Sequence, residues 1–255
     1  MSSFHGKGRG HSENEGSDFV YGRWPVREAL ESGAVIKVFI AQGVKGEPVD
    51  QIVELARQKK VPFHWIERVK LERMVTGNHQ GVVAQVTPFR FSEFDVLLKQ
   101  ALAAQVRGPS LLFLDGITDP QNLGSILRSA VFFGVPGVVI PKWRAASVTE
   151  SVVRASAGAA RHMSVAQVSN LAQSLEHAKE QGFWILGADM GGDDVKKMDP
   201  PRPFVLVLGS EGEGLHQLIQ KKCDVVARIV KQHPGPGVDS LNVGAACAVL
   251  LHALG

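Results

Sequence analysis

Residues 204–215, FVLVLGSEGEGL, decide how the larger part of this chain folds. The first five form an uninterrupted apolar run, which is typical of a strand buried on both faces of a parallel sheet. The glycines at positions 209, 212 and 214 predict a tight turn, and the residues after it predict the start of a helix. Nucleotide-binding turns have the same strand–turn–helix order, so the charge of this turn bears on its ligand.

The charge of the turn argues against a phosphate ligand. Nucleotide-binding turns surround phosphate oxygens with backbone N–H groups and often a Lys. Here the turn carries Glu211 and Glu213 and no cation, and its spacing is G-x-x-G-x-G rather than G-x-G-x-x-G. Each carboxylate next to a phosphate would cost about 4 kcal/mol at a surface-like dielectric. A cationic ligand such as S-adenosylmethionine suits the turn better. The alternative is that both glutamates only stabilise the first turn of a helix.

Five further apolar segments predict the rest of a sheet, at residues 111–115, 137–141, 163–168, 183–188 and 225–229. Helical stretches alternate with them, which favours a largely parallel sheet covered by helices on both faces. On periodicity alone the prediction is an unknotted, Rossmann-like α/β sheet, because true knots are rare.

Composition divides the chain into four segments. Residues 1–17 are polar and rich in Gly and Ser, and we expect a disordered tail. Residues 18–88 predict a small α/β domain, residues 89–109 a linker with some helix, and residues 110–255 the larger domain. Within the small domain, Trp24 and Trp65 are predicted to be packing residues rather than platforms for bases.

Overall composition excludes few function classes. The chain has 28 Lys and Arg against 25 Asp and Glu, a net charge of +3 that is compatible with RNA as a partner. The two cysteines, Cys223 and Cys247, lie in apolar or helical contexts, which favours a reducing compartment and a cytoplasmic protein. We expect no metal site, because no Cys or His ligand spacing is present. We expect no membrane span and no signal peptide.

Two other motifs accompany the acidic turn. They are LDGITDPQNLGSILRSA at residues 114–130 and GVDSLNVGAACAVLLHAL at residues 237–254. Together the three motifs closely resemble those of the SpoU/TrmH family of RNA ribose 2′-O-methyltransferases, in the same order and at similar separations. The segments GRWPVREAL at 22–30 and His79-Gln80-Gly81 resemble the N-terminal domain of those relatives that methylate a guanosine ribose in large-subunit, 23S-type ribosomal RNA.

The resemblance implies a fold and a set of partners. The fold is the SPOUT type, a trefoil-knotted, Rossmann-like and largely parallel α/β sheet, with an L30e-like α/β domain at residues 18–88 that binds the RNA substrate. Residues 110–255 would form the SpoU catalytic domain. The implied cofactor is S-adenosylmethionine without a metal. The implied assembly is a homodimer acting on RNA, not on DNA or at a membrane.

The resemblance also implies roles for particular residues. Those with implied catalytic roles are Asn122, Arg128, Glu211, Ser240 and Asn242, and those that would wrap the cofactor are Gly209, Ile229 and Leu241. Local patterns leave alternatives open. Asn122, Ser240 and Asn242 are each placed to cap a helix, and Arg128 is placed to lie along a helix surface with its charge in water. A guanidinium is a poor proton acceptor, so Arg128 suits a clamp on RNA phosphate better than a general base.

The chain departs from the family pattern after Ile229. Many relatives have Pro at the next position, whereas this chain has Val230, and the loop to Ser240 is a few residues longer. We therefore expect a different shape for the cofactor-wrapping loop at residues 230–239.

Three other functions remain to be separated from guanosine methylation of ribosomal RNA. The same chemistry on transfer RNA or at an antibiotic-resistance site would use the same motifs. A non-catalytic RNA-binding or ribosome-assembly factor would not need all five catalytic residues. A Rossmann oxidoreductase is disfavoured by the acidic turn and the missing dinucleotide fingerprint.

Overall fold

The computed structural model describes residues 18–231 and 240–255. The chain divides into two compact units, with the boundary between Pro88 and Phe89. The predicted tail at 1–17 and most of the loop predicted at 230–239 lie outside the described residues. In the part of the chain that is described, no helix combines the length and the apolar character needed to cross a bilayer.

The first unit contains a four-stranded mixed sheet. Its elements are β1 (Asp18–Tyr21), α1 (Arg23–Ser32), β2 (Val35–Ala41), α2 (Glu47–Gln58), β3 (Phe63–Ile66), α3 (Arg68–Met74) and β4 (Val82–Val86). The strand order is β1-β4-β2-β3, with β4 antiparallel to both neighbours and β2 parallel to β3. Strand β1 had no counterpart among the predicted strands.

The core of the first unit lies between its sheet and helices α1 and α2. Val26, Leu30 and Ile52 are buried there against the sheet. The two tryptophans are not in this core: Trp24 is 63% exposed and Trp65 is 45% exposed. The prediction that both are packing residues is therefore wrong. The guanidinium of Arg27 lies 5.3 Å from the centre of the Trp24 ring, so this exposed ring carries a cation beside it.

The second unit contains a six-stranded sheet with helices on both faces. Its elements are α4 (Phe94–Ala103), β5 (Leu111–Leu114), α5 (Pro120–Phe132), β6 (Gly137–Pro141), α6 (Glu150–Ala155), β7 (Ser164–Val168), α7 (Leu171–Glu180), β8 (Trp184–Asp194), β9 (Phe204–Leu208), α8 (Gln217–Gln220), β10 (Val225–Arg228) and α9 (Val243–Leu254). Strands β5 and β9 are buried along their whole length, as their continuous apolar runs predict.

The strand order of this sheet is β10-β8-β9-β5-β6-β7, and every neighbouring pair is parallel. The prediction of a largely parallel α/β sheet is confirmed. Strand β6, which follows β5, lies on one side of the central β9–β5 pair, and strand β10, which follows β9, lies on the other. A topological switch point therefore falls between β9 and β5. The implied trefoil knot stays a prediction, because the chain between Lys231 and Ser240 is outside the described residues.

Strand β8 makes an excursion away from the edge strand β10. Its pairing with β10 runs from Gly187 directly to Asp193, although the two β10 partners, Val226 and Ala227, are consecutive. The intervening β8 residues therefore leave that ladder. This excursion brings Asp189 beside the turn that follows β9, where its Oδ2 lies 2.6 Å from the place a Cβ on Gly214 would occupy.

The segment predicted as a linker, residues 89–109, packs as part of the second unit. Its helix α4 buries Leu97, Leu98 and Ala101 among the side chains of β5, β6, β7 and α7. Phe94 makes an edge-to-face contact with Phe113 of β5, at 6.0 Å between ring centres. This helix is therefore part of the second unit's core.

We expect Leu97→Ala to destabilise the second unit by about 2–5 kcal/mol, because the side chain is fully buried against β6. The measurement is the urea dependence of hydrogen exchange at β5 and β6 amides. Leu102→Ala is the matched control on the exposed side of the same helix, with an expected change within about 0.5 kcal/mol. Equal, small effects of the two substitutions would show that α4 is only a linker.

Candidate active site

The predicted site residues follow strands that end at one edge of the second unit's sheet. All six strands are parallel, so the loops after β5 and β9 leave the same edge. In open α/β sheets, ligands bind outside the carboxyl ends of the strands, at a switch point. The site therefore lies where the topology alone would place it.

The turn after β9 is closed on itself. Ser210 N–H donates to Gly214 O at 3.0 Å, and Gly214 N–H donates to Ser210 O at 3.1 Å. Gly209 is buried, and a Cβ there would collide with the backbone of Gly214. Gly212 and Gly214 have φ values of +88° and +67°, which favour glycine. The glycines therefore form the predicted tight turn. Its close packing leaves no room for a side chain at position 209.

Three carboxylates surround this turn. Glu211 and Glu213 are exposed on it, and Asp189 approaches it from β8. Within residues 18–231 and 240–255, none of the three forms an ion pair with Lys, Arg or His. Their negative charge is therefore available to a ligand. The alternative that the glutamates serve a helix start is not supported, because α8 begins only at Gln217 and has four residues.

The side chain of Asn242 joins three segments of the site. Its Oδ1 accepts hydrogen bonds from Gly244 N at 2.9 Å and Ala245 N at 3.4 Å, which caps α9. Its Nδ2 donates to Asn122 Oδ1 at 2.8 Å and also to a carboxylate oxygen of Glu211. The same Glu211 oxygen accepts a hydrogen bond from the backbone N–H at position 243, at 3.2 Å. Three of the five predicted catalytic residues are therefore in direct contact.

Asn122 does not cap its helix. The cap of α5 is Asp119, whose carboxylate accepts hydrogen bonds from Gln121 N at 3.2 Å and Asn122 N at 3.3 Å. The capping interpretation of Asn122 is therefore wrong, and its side chain faces Asn242 instead. The capping interpretation of Asn242 is confirmed for its oxygen, and its nitrogen bonds Asn122 and Glu211. The catalytic role of Asn242 stays a prediction.

Helices α5 and α9 approach each other closely beside this contact. A Cβ on Gly244 would lie 2.5 Å from Ser125 Oγ, so only glycine fits at this position. Arg128, one turn further along α5, is exposed, and among the described residues its side chain forms no hydrogen bond or ion pair. Ser240 and Leu241 are exposed, and Ile229 is half-buried against the sheet core. Among the described residues, no hydrogen bond or ion pair joins any of these four side chains to Asn122, Glu211 or Asn242.

One buried carboxylate at this edge was not among the predicted site residues. Asp115 follows β5 directly and is almost fully buried. It accepts hydrogen bonds from His216 N at 2.8 Å and pairs with His216 Nδ1 at 2.9 Å, which ties the loop after β5 to the acidic turn. A polar residue directly after a fully apolar strand was the available sequence signal.

No group of three His, Cys, Asp or Glu side chains in the described residues is arranged to hold a metal ion. Both cysteines are free thiols. Burial raises the pKa of Cys223 to about 11 and that of Cys247 to about 12, so neither is a thiolate at neutral pH.

Comparisons with known proteins identify the family. The SpoU rRNA methylase family model matches residues 109–252, and the model for RNA 2′-O ribose methyltransferase substrate binding matches residues 19–92. A Bacillus subtilis protein named as a TrmH family tRNA/rRNA methyltransferase, YacO, is 42% identical over 239 residues, which cover 92% of this chain and 94% of that protein. This chain belongs to the SpoU rRNA methylase family. It is therefore an RNA methyltransferase of the TrmH/SpoU type.

Solved structures give the same family. A TrmH-family RNA methyltransferase structure from Porphyromonas gingivalis superposes with a TM-score of 0.62 at 26% identity, covering 94% of this chain and 90% of that one. The SpoU methyltransferase AviRb from Streptomyces viridochromogenes superposes with a TM-score of 0.59 at 26% identity, covering 94% and 88%. A second AviRb structure contains the cofactor AdoMet, with a TM-score of 0.60 at 24% identity and coverage of 94% and 89%.

We expect Asn242→Asp to separate capping from the site role of this residue. An aspartate keeps the oxygen that caps α9 but replaces the donating Nδ2 with a second oxygen, which then faces Asn122 Oδ1 and Glu211. The variant should keep α9 capped and lose at least 100-fold in methylation rate, with a lower melting temperature because two carboxylates then meet. Asn242→Ala should lose the cap as well, at a cost of about 1 kcal/mol in unfolding free energy. A fully active Asn242→Asp variant would show that Asn242 is only a cap.

Proposed function

We propose that this protein transfers a methyl group from S-adenosylmethionine to the ribose 2′-oxygen of a guanosine in large-subunit, 23S-type ribosomal RNA. We further propose that it works as a homodimer in the cytoplasm, where its two free cysteines stay reduced. The observation that carries the proposal is the hydrogen-bonded contact of Asn122, Asn242 and Glu211 at the switch point of the parallel sheet.

The residues of the turn after β9 fit a cationic cofactor. Glu211, Glu213 and Asp189 have no cationic partner among the described residues, and the backbone of the turn packs closely at Gly209. A pyrophosphate would meet three negative charges there, whereas a sulfonium or ammonium would be attracted. Gly209, Ile229 and Leu241 are the proposed cofactor-binding residues. When bound, S-adenosylmethionine supplies an activated methyl group, and its neutral leaving group needs no metal.

The protein's own residues have three tasks in this reaction. Asn242 holds Asn122 through its Nδ2, and the amide group of Asn122 can orient a ribose hydroxyl. Arg128 has a guanidinium with no hydrogen-bond or ion-pair partner among the described residues, which suits a bidentate clamp on an RNA phosphate. Glu211, which accepts hydrogen bonds from Asn242 Nδ2 and from the backbone N–H at position 243, is the proposed acceptor of the hydroxyl proton. Ser240, adjacent to this group in sequence, is the fifth proposed catalytic residue.

The first unit is proposed to dock the RNA, and residues 110–255 to carry the chemistry. The exposed surface of the first unit includes Trp24, with the guanidinium of Arg27 beside its ring. Such pairs suit stacked bases and phosphates. RNA binding through phosphate contacts should weaken steeply as the salt concentration rises.

Two measurements test the proposed function directly. S-adenosylmethionine should raise the melting temperature of the full-length protein, and NAD should not. Ribosomal RNA from cells that lack the protein should miss one ribose methylation, which the purified protein restores. Restoration only on transfer RNA, or at an antibiotic-resistance site, would replace the proposed substrate. Cofactor binding without any RNA methylation would favour a non-catalytic RNA-binding factor.

We expect Arg128→Ala to reduce methyl transfer at least 100-fold while leaving the affinity for S-adenosylmethionine within about twofold. The reason is that this side chain is assigned to the RNA and not to the cofactor. Arg128→Lys should be almost as inactive, because a lysine cannot make the paired hydrogen bonds of a guanidinium. Steady-state methylation and cofactor titration give the two quantities. Turnover near the wild-type value in either variant would remove Arg128 from the catalytic group.

The proposed dimer has a candidate surface on helices α5 and α9. Phe132 is 82% exposed at the end of α5, and the neighbouring Phe133 ring lies 6.4 Å from His252 of α9. Val249 is exposed on the same helix as His252. An apolar ring this exposed is typical of a surface that a partner covers. A stable dimer there should bury more than about 1,000 Å².

We expect Phe132→Glu to make the protein monomeric at micromolar concentration, because it places a charge on this apolar surface. Val96→Glu is the matched control, an exposed apolar residue on α4 that should leave assembly unchanged. Light scattering measures the mass of the assembly. If the site needs both copies, the methylation rate should fall when the protein becomes monomeric. A wild-type protein that is monomeric and fully active would contradict the dimer.

A further inference from the structure

One exposed aromatic at the carboxyl edge of the sheet has no part in the proposed chemistry. Trp143 lies directly after β6, in the sequence Lys142-Trp143-Arg144, and is 65% exposed. Large aromatic side chains at this exposure lose much of the stabilisation that burial gives. The Trp143 ring is therefore accessible to a ligand.

The loop that carries Trp143 is held in place on both sides. Lys142 N–H donates to Val168 O at 2.8 Å, and Ala146 N–H donates to Ile117 O at 2.7 Å. Arg144 has a φ of +56°, a conformation that bends the chain and is unusual outside glycine. These contacts fix the loop at its base and leave Trp143 at the bend.

The bond from Ala146 to Ile117 also places the loop beside the catalytic group. Ile117 belongs to the segment between β5 and α5, and Asn122 is five residues further along, in the first turn of α5. Strands β6 and β5 are neighbours about 5 Å apart in the sheet, so the loops that follow them leave its edge side by side. A nucleotide on Trp143 would therefore lie next to the nucleotide whose ribose faces Asn122.

The charges around Trp143 match a nucleic acid. The ammonium of Lys142 lies 5.2 Å from the centre of the Trp143 ring, and Arg144 is the next residue in the sequence. An exposed aromatic ring with one cation beside it and a second adjacent in sequence suits a stacked base with neighbouring phosphates. An apolar protein partner would gain nothing from the two charges.

We propose that Trp143 is a stacking platform for a base adjacent to the methylated nucleotide, with Lys142 and Arg144 contacting the flanking phosphates. This inference rests on the proposed function and extends it to the recognition of a neighbouring, unpaired nucleotide. Stacking does not read the identity of a base, so the platform selects for single-stranded RNA at that position rather than for sequence.

The test compares two RNA probes of equal charge on the full-length protein: a twelve-nucleotide oligoadenylate and a twelve-unit abasic ribose-phosphate strand. Trp143→Ala should weaken oligoadenylate binding by about 5- to 100-fold and leave the abasic strand unchanged. Trp143→Phe should retain most of the affinity, because a ring remains. Fluorescence anisotropy measures both affinities. Cofactor affinity should stay at the wild-type value in each variant.

Trp184→Ala is the matched control. Trp184 is 38% exposed in the same unit, but it begins β8 and so lies at the opposite edge of the sheet. Its removal should change neither affinity.

Three results would overturn the platform. Trp143→Ala could bind both probes like wild type, could lose affinity equally for both, or could change the mass in light scattering, which would make Trp143 a contact between copies. In each of these cases, methylation of ribosomal RNA by the wild-type protein would still support the proposed function. A wild-type protein that binds cofactor but methylates no RNA would instead overturn the proposed function, and the platform with it.

Discussion

The side-chain amide of Asn242 has one oxygen and two N–H donors, and the structure uses both ends. The first backbone N–H groups of α9 need an acceptor, so they fix the oxygen toward the helix. The nitrogen is then turned toward Asn122 and Glu211, which both offer oxygens. A requirement of helix ends therefore orients the donor at the centre of the site. A residue that caps α9 but has no N–H group in its side chain would leave the site without that donor.

This arrangement depends on the all-parallel sheet. Asn122 and Asn242 are 120 residues apart, and they meet because the strands before them end at one edge. The Asp115–His216 pair fixes the loops after β5 and β9 to each other at the same edge. A buried carboxylate with two hydrogen bonds is costly to leave unpaired, so the two loops hold a single relative position. The acidic turn is thereby presented at a constant distance from Asn122.

Sequence patterns predicted the strands well and the environments of single side chains less well. Strands such as β5 and β9 are continuous apolar runs, and that signal is local. For the start of α5, Asp119 and Asn122 are both good caps, and the deciding feature was Pro120, since proline favours the first helical position and so makes its predecessor the cap. Trp24 was assigned to packing on its size, but a side chain's size does not say on which side of an element it lies.

Contacts between distant segments were the least predictable part of the site. The pairing of Asp115 with His216 joins residues about a hundred positions apart, and nothing local to either residue indicates it. Helix α4 was predicted within a linker, from a helical periodicity that ends at Arg107-Gly108-Pro109, and this local pattern indicates no partner for the apolar side of the helix. Its three buried residues acquire their partners only when β5, β6 and β7 are side by side.

The three carboxylates around the turn after β9, which have no cationic partner in the part of the chain that the structure describes, have a consequence for turnover under the proposed function. Methyl transfer converts a sulfonium into a neutral thioether, so the attraction of Glu211, Glu213 and Asp189 for the spent cofactor is weaker than for the fresh one. A lost charge pair at 4 Å is worth about 1 kcal/mol in water and about 4 kcal/mol at an effective dielectric of 20. The turn thus favours exchange of spent for fresh cofactor, and it limits product inhibition through charge alone.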